Sequence, residues 1–275
     1  MQERALAYLR AGQEVGFVPT MGALHAGHES LVRRAKAEND RVVVSVFVNP
    51  LQFGPSEDLA RYPRPFERDV EILEQAGADV CFHPTVEQIY PPAFRTRVDP
   101  GPLADRLEGA SRPGHFGGVL TVVCKLFQLV QPRRAYFGQK DVQQLILVRQ
   151  MVRDLAMPVR IVSCPTVRGK DGLALSSRNV YLDPEQRRAA PALYQALVRG
   201  LVTFESGETD PDKIEAAALE RLTQERAIAV DYLTVFEERT LARPPRVQPG
   251  DVLATAVTLG KTRLIDNVVF GAERL

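Results

Sequence analysis

Eight residues, Arg41 to Val48 (RVVVSVFV), restrict the fold of this chain more than any others. A β-branched, nearly continuously apolar run does not suit a sheet with one wet face. It reads as a strand buried on both sides, as in parallel sheets covered by helices. The flanking segments agree. Val15 to Val18 is a short apolar strand, and His28 to Glu38 is a helix pattern with Leu31, Val32 and Ala35 inward. Phe66 to Gln75 reads as a helix, Asp79 to Phe82 as a strand, and Phe116 to Val130 as a helix ended by Gln131-Pro132. Strand Ala135 to Phe137, helix Val142 to Leu155 and strand Val159 to Ser163 continue the alternation. Repeated strand–helix–strand units predict an α/β, Rossmann-like doubly wound parallel sheet with ligands outside the carboxyl ends of its strands.

Beyond Arg178 the pattern changes. Pro184 to Phe204 and Pro211 to Glu225 read as helices, each opened by Asp before Pro (Asp183, Asp210), the preferred chemistry of a cap and first turn. Val230 to Phe236, Val252 to Leu259 and Leu264 to Phe270 then follow as strands without intervening helices. The expected organisation is a domain over residues 1–167 and a smaller C-terminal α+β domain with an antiparallel sheet over 168–275. The hinge falls near residues 166–178.

Composition excludes several classes of function. A net charge of +1 provides no basic field of the kind that draws nucleic acid. The apolar runs fall well short of the roughly 20 residues needed to span a bilayer, and Met1 to Arg10 is charged, unlike a signal peptide. Cys81, Cys124 and Cys164 are widely spaced and form no Cys-x-x-Cys pair, so neither a disulfide framework nor a zinc site is indicated. A reducing, cytoplasmic setting is expected.

Chemistry-bearing residues gather at the predicted strand exits. Phe17 to Gly22 leaves the first strand, and two of the four histidines, His25 and His28, stand at the start of the next helix. A helix N-terminus offers free N–H groups and partial positive charge to phosphate, and imidazole adds a donor or a general acid. The plainer alternative is that His28 caps the helix and His25 fills a loop. The chain has neither a Walker sequence nor Gly-x-Gly-x-x-Gly. Gln52, in the Asn49 to Gly54 exit of the second strand, has an amide suited to a carboxylate or hydroxyl, or lies in a polar surface turn around Pro50. The third exit is Gly138, Gln139, Lys140, Asp141, with Gln144 one turn into the helix. Lys140 can neutralise phosphate, and Asp141 can accept from a ribose or cap the helix. Ser176, Ser177 and Arg178 supply two hydroxyls and a planar fork of donors. Lys170 and Asp171 lie in a Gly-flanked loop that can act as a lid or serve as an interdomain turn. Glu108 to Phe116 either lines a substrate pocket or only leads into a helix.

Taken as strings, FVPTMGALHAGH, VVVSVFVNPLQF, EGASRPGHFGGV, YFGQKDVQQ, KDGLALSSRN and TRLIDN resemble, in order from Val15 to Asn267, the pantoate–β-alanine ligase (pantothenate synthetase) family of HIGH-type adenylating enzymes. The resemblance implies an ATP-dependent ligation in two steps through a pantoyl adenylate, with Mg²⁺, in a cytoplasmic homodimer. It implies ATP contacts from Met21, Gly22, Ala23, Leu24, His25, Ala26, Gly27 and His28. Further ATP contacts would come from Gly138, Gln139, Lys140, Asp141, Val167, Leu175, Ser176, Ser177 and Arg178. The catalytic set would be His28, His25, Lys140, Ser176, Ser177 and Arg178, with Gln52 and Gln144 holding pantoate. No cage of carboxylates for the metal is evident; Asp69 is the only candidate contact. A nucleotidylyltransferase and a class I aminoacyl-tRNA synthetase share the same two signatures. The first would keep the adenylate as product, and the second would need an anticodon-binding domain for which the chain has no residues.

Overall fold

A computed structural model describes residues 1–55 and 57–272. Two compact units are formed: Met1–Gly138 with Gln143–Cys164, and Gln139–Val142 with the chain from Pro165 onward. The backbone therefore crosses into the second unit for four residues at the end of the fourth strand and returns.

The first unit is built on a parallel sheet of β1 (Val15–Thr20), β2 (Arg41–Val46), β3 (Val80–Phe82), β4 (Arg134–Gly138) and β5 (Arg160–Cys164) in the order β3-β2-β1-β4-β5. This is the doubly wound arrangement expected from the alternation. The order reverses between β1 and β4, and such a switch point opens a crevice at the carboxyl ends of the strands. The helices are α1 (Gln2–Arg10), α2 (Ala26–Glu38), α3 (Phe66–Ala76), α4 (Val86–Ile89), α5 (Glu108–Ser111), α6 (His115–Val130) and α7 (Val142–Asp154). Successive strand residues point to opposite faces, so the apolar run feeds two cores. Phe17, Val43, Ala135 and Phe137 pack with α6 and α7 residues such as Val123, Phe127 and Leu145. Val18, Val44 and Tyr136 pack with Leu31, Val32 and Ala35 of α2 and Leu73 of α3. Neither face is left wet, which is why the strand shows no alternation.

The second unit carries α8 (Pro184–Ala189), α9 (Ala192–Glu205) and α10 (Pro211–Thr223), followed by the antiparallel sheet β6 (Ile228–Phe236), β7 (Val252–Leu259) and β8 (Thr262–Val269). Leu193, Leu197, Ile214, Leu222, Leu253 and Phe270 are its buried centre. One expectation fails here. Pro184 to Phe204 is not a single helix but breaks at Ala190-Pro191. Pro191 has no N–H to give the Arg187 carbonyl, and its ring crowds that oxygen. The caps hold as read: Asp183 accepts from the Glu185 and Gln186 N–H groups within a full capping box, and Asp210 accepts from Asp212. No helix among the described residues is long and apolar enough to cross a membrane.

Candidate active site

The carboxyl end of β1 is shaped by a residue that arrives from α3. Asp69 is buried, and its two oxygens accept from the backbone N–H groups of Ala23 (2.9 Å) and Leu24 (2.7 Å). Ala23 sits at φ 50°, a left-handed conformation that costs a non-glycine residue about 1–2 kcal/mol. The two charge-assisted bonds offset that strain. Gly22, at φ 81°, has no alternative residue: a β-carbon there would stand 2.8 Å from Asp69 Oδ2. Thr20 Oγ1 accepts from the Gly22 N–H and donates to the Ser45 carbonyl, tying the turn to β2. Burial pushes the Asp69 carboxyl above its usual range, against the pull of the two N–H groups. Asp69 is thus the clamp of the loop. A carboxylate in line with Leu73 and Ala76 on the inner face of a helix was the available signal.

The clamped loop delivers the histidines to the start of α2. His25, not His28, is the cap: its Nδ1 accepts from the Gly27 N–H at 3.1 Å, so the neutral ring carries its proton on Nε2. His28 lies in the first turn, its ring centroid 4.2 Å from that of His25. The pair therefore presents imidazole edges beside the N-terminal turn of the helix, where the backbone's partial positive charge favours an anion.

Gln52 is no surface turn. It is buried at the end of a 3₁₀ turn, Pro50–Gln52, where Asn49 Nδ2 donates to its Oε1 at 3.0 Å. Its Nε2 donates to Met21 Sδ at 3.2 Å. This contact brings the β1 and β2 exits together. A thioether is a weak acceptor, so a ligand oxygen competes for that amide readily. Asn49, missed in the sequence, is 1% exposed and organises the turn: it also donates to the Gly118 carbonyl and accepts from the Tyr90 hydroxyl. Gly118 of α6 must remain glycine, because a β-carbon would lie 2.2 Å from the Leu51 carbonyl oxygen.

Behind this turn runs a polar chain. Glu57 takes Arg112 in a two-pronged ion pair, Arg112 Nη1 donates to His115 Nε2 at 2.9 Å, and His115 Nδ1 donates to the Gln52 carbonyl at 2.8 Å. Burial first, and the Arg112 charge second, hold the His115 pKa down at about 4. The ring is neutral and serves to hold Gln52. Gln144 lies half-buried on α7 beside Gln143, whose amide is spent on anchoring Leu103, Arg106 and Glu108.

The remaining candidates belong to the second unit. Gln139, Lys140 and Asp141 form a 3₁₀ turn directly after Gly138. Val167 and Leu175, eight residues apart, meet through Leu175 N–H donating to the Val167 carbonyl. Between them the chain closes as a narrow loop, with Arg168 bridged to Ala174 and Asp171 ion-paired to Arg187. Lys170 therefore sits at the tip of a braced loop. Ser176 caps the 3₁₀ turn Ser177–Tyr181, accepting from the Arg178 N–H, and Asn179 anchors that turn to the Ala174 carbonyl. The Asp266-Asn267 pair of β8, present in the last sequence string but given no role there, reaches both segments.

A doubly wound sheet that opens a helix N-terminus, a histidine pair and a buried amide at its carboxyl edge defines an α/β enzyme that handles small anionic substrates. Within that class the chain belongs to the pantoate–β-alanine ligase family, whose model, described as Pantoate-beta-alanine ligase, matches residues 1–269. It is 54% identical to the pantothenate synthetase of Herpetosiphon aurantiacus, over 97% of each chain. Pantothenate synthetase from Thermus thermophilus superposes with a TM-score of 0.91 at 53% identity, over 96% of this chain and 97% of that one. Pantoate-β-alanine ligase from Francisella tularensis, in complex with β-γ ATP and β-alanine, aligns with a TM-score of 0.78 at 37% identity, over 95% and 92%.

Proposed function

We propose that this chain condenses pantoate with β-alanine, driven by ATP, and that the residues above act as follows. The observation that carries the reading is the family match over residues 1–269. A pantoate carboxylate oxygen attacks the α-phosphorus of ATP, the bond to the β-phosphate oxygen breaks, and pyrophosphate leaves. The amine of β-alanine, entering deprotonated, then attacks the acyl carbon of the adenylate. The amide forms and keeps one N–H, AMP departs, and the other of the amine's two protons passes to solvent.

The first step places negative charge on pyrophosphate, so fixed donors aimed at that charge accelerate it. In the first unit, Met21 to His28 lies along the nucleotide, and His28 donates to its phosphates with His25 beside it. Gly138 completes this edge. In the second unit Gln139 to Asp141, Val167 and Leu175 to Arg178 contact the nucleotide, with Lys140, Ser176, Ser177 and Arg178 as the charge-stabilising groups. Gln52 and Gln144 hold pantoate so that its carboxylate meets phosphorus in line, which removes much of the entropic barrier. The proposed organisation is a nucleotide- and pantoate-binding domain over residues 1–167 and a smaller C-terminal domain over 168–275.

Among the described residues no three His, Cys, Asp or Glu side chains are grouped to hold a metal ion, and the oxygens of Asp69 are committed to Ala23 and Leu24. The Mg²⁺ ion arrives as part of the substrate, on the nucleotide phosphates. A cytoplasmic homodimer completes the proposal, supported by family membership and, for the compartment, by three free thiols.

The test is to incubate the protein with Mg-ATP and pantoate, with and without β-alanine, and identify the products by mass spectrometry. AMP, pyrophosphate and pantothenate formed together only with β-alanine establish the reading. ADP and phosphate overturn the attack at α-phosphorus, and the absence of any product overturns the activity.

A further inference from the structure

Within the second unit, two consecutive residues of β8 hold the two chain segments assigned above to the nucleotide. Asp266, 3% exposed, takes the Arg168 guanidinium on both oxygens, at 2.5 and 3.0 Å. Arg168 lies 3.7 Å over the Tyr194 ring and donates to the Gly172 carbonyl, so the Val167–Gly172 loop is fastened from below. Asp266 Oδ1 also accepts from the Asn267 N–H. Asn267, equally buried, donates its side-chain amide to the carbonyls of Gln139 (3.0 Å) and Lys140 (2.9 Å). Both neighbours are acceptors, so only the NH₂ end of the amide can face them.

The same amide leaves its Oδ1 buried and without a hydrogen-bond partner among the described residues. An orphaned buried acceptor costs roughly 1–3 kcal/mol. The side chain is thus held in a geometry that serves its two N–H groups and leaves its oxygen unserved. Those N–H groups fix the peptide units on both sides of the Lys140 α-carbon, which sets the direction in which the ammonium leaves the backbone. Lys140 itself lies in a three-residue turn between β4 and α7, within the four residues by which the chain visits the second unit.

We propose that Asn267 is a positioning residue for Lys140, fixing the backbone from which the ammonium reaches the nucleotide phosphates in adenylate formation. This rests on the phosphate role assigned to Lys140. A misplacement of about 1 Å in such a group costs on the order of 10²-fold.

The experiment is a double-mutant cycle on turnover, read as pyrophosphate release from Mg-ATP and pantoate at saturating β-alanine. Asn267→Leu keeps the volume and removes both donors; Asn267→Ala serves if the first variant does not fold, with folding checked by circular dichroism and thermal melting. The expected result is a folded variant with kcat lowered 10- to 100-fold and KM for pantoate within about twofold of the parent. In a Lys140→Ala background the same change should lower the rate less than threefold, because the group being positioned is already gone. Equal losses in both backgrounds, or a parent-like kcat for folded Asn267→Leu, overturn the proposal. A Lys140→Ala variant that retains the parent rate removes the premise instead, and a parent without pyrophosphate release removes the function; neither resembles an additive cycle.

Discussion

Asp69 stands 45 residues from Leu24 in the chain, yet it accepts the two N–H groups that give the β1 exit its left-handed turn. Asp69→Asn preserves shape but turns one acceptor into a donor facing an N–H. Hydrogen bonds to charged groups contribute about 1.5–3 kcal/mol, so kcat/KM for ATP should fall about 10- to 100-fold. Unchanged steady-state kinetics in a folded variant would show that the loop holds its shape without the clamp. Lys140→Ala tests a different term. Lys140 is half-buried and packs in none of the apolar cores. Removing it should lower adenylate formation about 10²- to 10³-fold, the usual loss for a charge-stabilising donor, with the melting temperature nearly unmoved. A folded variant that turns over normally would refute its phosphate role.

At the scale of elements, the 3₁₀ turn bearing Gln52 depends on the helix it rests on. Gly118→Ala drives a methyl group into the Leu51 carbonyl, and backbone cannot yield as a flexible side chain can. Overpacking of this kind costs about 1–3 kcal/mol. The predicted outcome is a lower denaturation midpoint together with a raised KM for pantoate; destabilisation with unchanged KM would separate the turn from the substrate. The α8 cap makes a simpler case. Asp183→Ala removes a full capping box and should lower stability by about 1 kcal/mol, as thermal melting would report.

For the whole molecule, acid should be the sensitive direction through His115. Its folded pKa of about 4 lies below the ordinary value of 6.5, so the unfolded chain binds the proton first. The stabilising preference for the neutral ring is complete above pH 6.5 and is lost as pH falls from there toward 4. Two and a half units correspond to about 3 kcal/mol. Denaturant unfolding measured across that range should show a steeper loss in the parent than in His115→Asn, and equal slopes would remove His115 as the cause.

How much of this was legible before the fold depended on how local each cause is. The strands, most helices and both Asp-Pro caps follow from neighbours within a few residues, because side-chain period and backbone hydrogen bonding are short-range. The apolar run at β2 even announced a sheet covered on both faces. The residues Gln52 and Lys140 were visible because polar side chains stood at strand exits. Their supports were not. Asp69 under Ala23 and Leu24, Asn49 and His115 around Gln52, and Asn267 behind Lys140 are joined by contacts between distant stretches of chain. A break at Pro191 was readable from proline chemistry yet overridden by the apolar period on either side. By itself, then, the sequence determined the class of fold and the identity of the chemical groups. Only tertiary structure decided how those groups are held, because burial and hydrogen-bond geometry are properties of segments that meet in space, not of segments that follow one another.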